Sequence, residues 1–206
     1  MKPLDKGVIL GLLKPGVWMT IDYLRDLLRK KGYDVANLRE LVEKLVEEGR
    51  LVYYRGAFTR PGKIERPWFV TLTAYRIWIA QVVGIERGPL SMPIFVLKVV
   101  CGSGYPQGFK IKFTPHIMPP TIHYELRMLA DRASLWREFE FWATHDFYNE
   151  AREELRVRGL SGSVLGSAML RLRHAIRRVL KEEKDIFVAK RKLEKAFEAI
   201  KRRYVG

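Results

Sequence analysis

Gly16, Gly32 and Gly49 divide the first fifty residues into segments of helix length, and the apolar residues between them recur at spacings of three and four. Asp5 can cap a short helix carrying Val8, Ile9, Leu10, Leu12 and Leu13. Lys14-Pro15-Gly16 ends it, because proline lacks an amide donor and glycine accepts the turn geometry. Val17-Trp18-Met19 is short and extended, and Thr20 then caps a second helix with Ile21, Leu24, Leu27 and Leu28 on one face. Its end carries Arg29-Lys30-Lys31, where the helix dipole favours cations. Asp34 is expected to cap a third helix over 35–48, with Val35, Leu38, Leu41, Val42, Leu45 and Val46 inward. Residues 51–54 and 68–72 predict two strands joined by a loop, 55–66, rich in Gly, Pro and positive charge.

Helix, short strand, helix, tight turn, helix and basic hairpin is an order with a known counterpart. Thr20-Ile21-Asp22-Tyr23-Leu24, followed by Leu38-Arg39-Glu40-Leu41-Val42-Glu43-Lys44-Leu45-Val46-Glu47-Glu48-Gly49-Arg50-Leu51-Val52, resembles the winged-helix (winged helix-turn-helix) superfamily of DNA-binding proteins. The resemblance covers about the first 80 residues. It implies that the third helix lies in the major groove and that the wing touches the backbone or minor groove. Carried onto this chain, the groove-facing residues are Ala36, Asn37, Arg39, Glu40 and Lys44, with Asn37 suited to an adenine edge and Arg39 to a guanine edge. Arg55, Arg60, Lys63 and Arg66 of the wing would meet phosphates. Glu40, Glu43, Glu47 and Glu48 work against this, since phosphates repel carboxylates. A protein partner on the acidic face of helix 35–48 is therefore the alternative.

The middle of the chain reads less clearly. Thr73 can cap a helix from Ala74 to Val83, or the preceding strand can continue through these β-branched residues. The apolar run 94–100 predicts a strand covered on both faces. Phe109-Lys110-Ile111-Lys112-Phe113 alternates, so a hairpin with a solvated lysine face is expected. Gly102-Ser103-Gly104 is not a phosphate loop, because no Gly-Lys-Ser/Thr follows. Residues 114–120, rich in proline, predict a rigid connector.

From Thr121 the chain reads helical, with a break near 131–134. Leu135, Trp136, Phe139, Phe141, Trp142, Phe147 and Tyr148 are expected to form core. A helix beginning near Ser163 places Leu165, Met169, Leu172, Ile176 and Val179 within an arc of about 100°. Arg171, Arg173, His174, Arg177, Arg178 and Lys181 occupy the remainder, and no acid falls between 164 and 181. Such a face can follow a phosphate backbone or lie on an anionic bilayer. The last helix, 185–204, buries Ile186, Ala189, Leu193, Phe197 and Ile200. Two adjacent apolar seams suit an antiparallel helix pair, within one chain or shared in a homodimer.

Composition supports the same direction. The 206 residues hold 38 Lys plus Arg against 23 Asp plus Glu, a net charge of +15. Residues 1–80 carry +6, 81–160 carry +1 and 161–206 carry +8, so a polyanion would meet the two ends. The high Arg, Lys and Glu content suits a thermophilic source. Cys101 alone supports neither an intramolecular disulfide nor a multi-cysteine metal site. His116, His123, His145 and His174 are not spaced as metal ligands, and no nucleophile elbow, Walker or kinase motif is present. No catalytic residue, metal or cofactor is expected. Run 94–100 is too short to span a bilayer, and residues 1–5 lack the apolar core of a secretory signal, so a cytoplasmic protein is expected.

These readings give an α+β, mostly helical chain: a winged helix over 1–84, a β-hairpin extension over 85–120 and antiparallel helices over 121–206. The expected function is nucleic-acid binding, as a DNA-binding transcriptional regulator or DNA-organising factor. Phosphate attraction alone does not separate double-stranded DNA from RNA. The alternative is an interaction subunit of a replication, transcription or viral nucleoprotein complex.

Overall fold

Asp5 opens the first helix, α1 (Lys6–Leu12), by accepting the Val8 amide at 2.9 Å. The computed structural model describes residues 1–115, 127–129 and 131–206. Of the connector expected at 114–120, residues 116–120 lie outside the described residues, as does the helical start expected at 121–126. Thr20, at the end of β1 (Met19–Thr20), accepts the Tyr23 amide at 3.3 Å and starts α2 (Ile21–Lys30). The third helix, α3 (Leu38–Glu47), begins later than expected. Asp34 accepts the Ala36 amide at 3.0 Å and closes a turn instead of capping the helix, which leaves Asn37 at the cap position without a side-chain bond. Gly49 ends this segment with φ of 73°, a left-handed conformation that a side chain would strain. Ile9, Leu24, Leu28, Leu38, Val42 and Leu45 join Leu4, Leu13 and Leu51 in one apolar core. Burial of each such side chain is worth about 1.5–3 kcal/mol.

The strand after α3 pairs differently from expectation. Arg55 (φ 47°) and Gly56 (φ 80°) reverse the chain in two residues, as a hairpin of the primed class requires. Strand β2 (Val52–Tyr54) therefore pairs with β3 (Ala57–Thr59), with Tyr53 opposite Phe58, and not with residues 68–72. β1 adds to β3 with Met19 opposite Phe58, completing a three-stranded sheet ordered β1-β3-β2. The segment 55–66 is consequently not one loop, because β4 (Gly62–Leu72) begins inside it and belongs to a second sheet.

That sheet has the order β7-β6-β5-β4-β8. A helix over 74–83 is not formed: after one 3₁₀ turn at Thr73–Tyr75 and Arg76 in the left-handed region, β5 (Ile77–Arg87) runs as a strand with Ile77, Ile79, Val82 and Ile85 buried. Partners on both edges decide this, since β5 lies between β4 and β6 (Pro93–Gly102). The expected hairpin is present. β6 pairs antiparallel with β7 (Lys110–Phe113), Phe95 opposite Phe113 and Lys98 opposite Lys110. Arg127–Met128, expected to be helical, instead forms β8 against Val70 and Thr71 of β4.

Asp131 accepts the Ser134 amide at 2.6 Å and starts α4 (Arg132–Thr144), which is followed by α5 (Asp146–Val157). α6 (Gly162–Glu182) and α7 (Ile186–Tyr204) follow, the latter capped by Asp185. The short connection after Glu182 and the bond from Arg171 to the Tyr204 hydroxyl at 2.9 Å make α6 and α7 antiparallel. Phe139, Trp142, Phe147, Met169, Leu172 and Leu193 lie at the centre of this core, which also contains Ile79, Val100 and Cys101. Of the expected aromatic cluster, Phe141 stays 44% exposed.

The chain is thus α+β and forms two compact units. One comprises Met1–Trp68, Gln81–Lys98 and the described part of Lys110–Leu126; the other comprises Phe69–Ala80, Val99–Phe109 and Arg127–Gly206. Each unit is assembled from separated stretches of chain, whereas the three-part reading of the sequence followed chain order. No helix among the described residues is long and apolar enough to cross a membrane.

Candidate nucleic-acid interface

In the N-terminal unit the apolar positions of α3 face the core, which leaves Arg39, Glu40, Glu43, Lys44 and Glu47 outside. Arg39 approaches Glu43 at 3.6 Å, and Lys44 donates to Glu40 at 2.6 Å, both pairs one turn apart. The Lys44 bond holds the Glu40 carboxyl below its ordinary range, and Glu40 in turn raises the Lys44 ammonium. Both cations expected on the groove-facing side of this helix, Arg39 and Lys44, therefore have carboxylate neighbours one turn away. Asn37 is exposed at the start of the helix, with its side chain uncommitted to a cap.

The four cations expected on the wing do not share one loop. Arg55 alone occupies the two-residue hairpin turn, its guanidinium 5.3 Å from the centre of the Tyr54 ring. Arg60 follows β3 and donates to the Leu10 carbonyl of α1 at 3.3 Å. Lys63 and Arg66 are exposed positions of β4. The chain reversal at Arg55 and Gly56 is the physical reason: it shortens the hairpin and leaves residues beyond 61 to another sheet.

A feature of this unit escaped the sequence reading. An open groove of ≈ 470 Å³ runs between α3 and the β2–β3 hairpin, lined by Val42, Val46, Tyr53, Phe58 and Leu90. Leu90 is 94% exposed and has φ of 54°. Neighbouring Ser91 donates to the Val46 carbonyl at 3.1 Å, which ties this segment to α3. The only local signal was Gly88-Pro89, a break whose contacts are remote in sequence.

In the C-terminal unit α6 has the division expected of it. Leu165, Met169, Leu172, Ile176 and Val179 are buried, and Arg171, Arg173, His174, Arg177, Arg178 and Lys181 are exposed. Among the described residues none of these five cations makes an ion pair within 4.0 Å. Two engage tyrosine hydroxyls instead, Arg171 with Tyr204 at 2.9 Å and Arg173 with Tyr148 at 3.3 Å. Arg152 and Arg156 of α5 are also exposed, and the near-neutral charge of the segment 81–160 as a whole masks them in the sequence. Their i, i+4 spacing beyond Tyr148 was the available signal.

The lysines of β7 are exposed, and Lys112 donates to Glu86 at 2.7 Å, consistent with a solvated sheet face. Cys101 is buried, and burial pushes its thiol well above the ordinary range, which removes nucleophilic character at neutral pH. Among the described residues no three His, Cys, Asp or Glu side chains are placed to hold a metal ion. His116 and His123 lie outside the described residues. In comparison with known proteins, no family model, no curated protein and no solved structure matches the chain.

Proposed function

We propose that this chain is a cytoplasmic nucleic-acid-binding protein whose N-terminal unit carries a winged helix, acting as a DNA-binding transcriptional regulator or DNA-organising factor. One observation carries the reading: the outer face of α6 presents Arg171, Arg173, His174, Arg177, Arg178 and Lys181 with no carboxylate on the helix before Glu182. A solvated helix normally intersperses both signs, and a face of one sign attracts a polyanion by Coulomb forces and counter-ion release. The helix and strand order of the N-terminal unit, α1-β1-α2-α3-β2-β3, agrees with the winged-helix part of the reading. Asn37 and Arg39 are the candidates for base contact, and Arg55 for phosphate contact at the hairpin turn.

Fluorescence anisotropy of a labelled duplex across a salt series is the test. The logarithm of affinity should fall linearly with the logarithm of salt, with a slope near the number of phosphates contacted. An affinity independent of salt overturns the proposal. A single-stranded RNA of equal length, run in parallel, separates the two nucleic acids.

A second reading has its own support. The carboxylates of α3 and the groove of ≈ 470 Å³ beside them suit a protein partner with basic and apolar side chains. In that case the chain is an interaction subunit of a nucleoprotein complex. Co-purification of one stoichiometric partner, with no shift of duplex or RNA by the full chain, favours it over the first.

A further inference from the structure

We propose that the groove between α5 and α6 binds a phosphate ester, with the phosphate held by Arg152, Arg156 and Arg173 and the organic part resting on Leu165, Met169 and Leu170. Tyr148, Arg152 and Arg156 stand at i, i+4 and i+8 and so form one stripe along α5. α6 runs antiparallel to it, because the Tyr148 hydroxyl accepts from Arg173 at 3.3 Å near one end, while Arg156 and Gly162 line the groove together at the other. The Arg173 guanidinium lies 5.5 Å from the Tyr148 ring centre, which holds it over the groove.

Charge and shape both select the ligand. No carboxylate lines the groove, and Arg152 has no ion-pair partner among the described residues. Arg156 is paired with Glu153 at 2.9 Å, outside the lining. Three arginines line this one groove, and a phosphate dianion offers acceptors for their paired donors. The open groove offers ≈ 610 Å³, more than inorganic phosphate needs. Leu165 and Met169, both buried, and the half-exposed Leu170 supply the apolar part of its lining. At Gly166 an added Cβ would meet nothing within 4 Å, so α6 leaves the groove open there. The chemistry is that of an ester with a planar or apolar body, either a free small molecule or the terminal phosphate of a nucleic-acid strand.

The site shares Arg173 with the α6 face invoked for duplex binding, but Arg152 and Arg156 lie on α5 outside that face, so their variants separate the two. Calorimetric titration of the full chain with adenosine monophosphate, adenosine and inorganic phosphate is the first arm. The monophosphate should bind saturably at one site and adenosine should not. Arg152→Gln and Arg156→Gln, both exposed and without a role in the core, should each weaken the monophosphate about tenfold. Gly166→Met, which fills the groove, should abolish binding while circular dichroism stays unchanged. The second arm compares a strand bearing a 5′-phosphate with its 5′-hydroxyl twin. Preference for the phosphorylated strand, lost in Arg152→Gln, identifies a nucleic-acid end as the source. Equal binding of the twins beside tight monophosphate binding identifies a free ester. Adenosine binding as well as the monophosphate, unaltered binding by Arg152→Gln with Arg156→Gln, or no saturation by about 1 mM monophosphate would overturn the proposal. Duplex anisotropy of the same variants separates this outcome from failure of the nucleic-acid reading.

Discussion

The Arg87 guanidinium donates to the Glu47 carbonyl at 3.0 Å, so a residue at the end of β5 satisfies an orphan carbonyl of the last turn of α3. The same nitrogen donates to the Ser91 hydroxyl at 3.0 Å, and that hydroxyl donates to the Val46 carbonyl at 3.1 Å. Ser91→Ala should cost about 1 kcal/mol, because it removes a buried hydroxyl that bonds both the Val46 carbonyl and Arg87, while that carbonyl keeps the Gly49 amide at 3.0 Å. Arg87→Ala should cost about 1 kcal/mol, as part of its bond faces solvent. The double variant should cost less than the sum, since the two side chains share one network. Denaturant midpoints at constant slope are the measurement.

Arg55 is held at φ of 47° by the two-residue turn, where asparagine is favoured. Arg55→Asn should relieve about 1 kcal/mol of backbone strain and lose about 0.5 kcal/mol of ring contact with Tyr54. The strain is the larger effect. A small rise in melting temperature is expected, and a fall would show that the Tyr54 contact dominates.

Gly166 sits inside α6, and a Cβ there meets nothing within 4 Å. Gly166→Ala should therefore stabilise the chain by about 1 kcal/mol through helix propensity alone. Thermal unfolding followed by circular dichroism reads this directly.

Asp131 accepts the Ser134 amide, which lowers its carboxyl below the ordinary value of 3.8. A group depressed in the folded state adds stability that is complete above the unfolded value and is lost as pH falls through the folded one. Melting temperature should thus fall below pH 3.8, and Asp131→Ala should lower it at neutral pH while weakening the acid dependence. Identical acid profiles for the two proteins would contradict this role for the cap.

Arg177→Glu with Arg178→Glu reverses two exposed charges that make no contact with the core. Affinity for duplexes of unrelated sequence should fall alike, and the salt slope should shrink by about 2. A sequence-dependent loss would mean that α6 reads bases.

Much of the helical architecture was legible because its causes are local. Asp5 and Thr20 each cap the helix expected of them, Gly49 ends the third segment, and the last helix opens at Asp185, which caps it. The buried stripe of α6 follows from spacing alone. Asp34 was misread because an Asx turn and a helix cap use the same residue types, and only backbone geometry separates them. The cations at 60–66 were misread for a larger reason. Their position depends on which strand pairs with Val52–Tyr54, and residues 57–59 and 68–72 are both suited by composition.

By itself, then, the amino-acid order settled where α1, α2, α6 and α7 lie, which of their faces are apolar, and that positive charge gathers on the outside of α6. Those properties depend on residues within one or two turns of each other. Strand partners, the sheet to which residues 77–87 belong, the groove beside α3 and the placing of Arg152, Arg156 and Arg173 along one groove were decided only in three dimensions. Each depends on contacts between residues far apart in the chain, where a β-branched run fits strand or helix equally until a neighbouring strand supplies its hydrogen bonds.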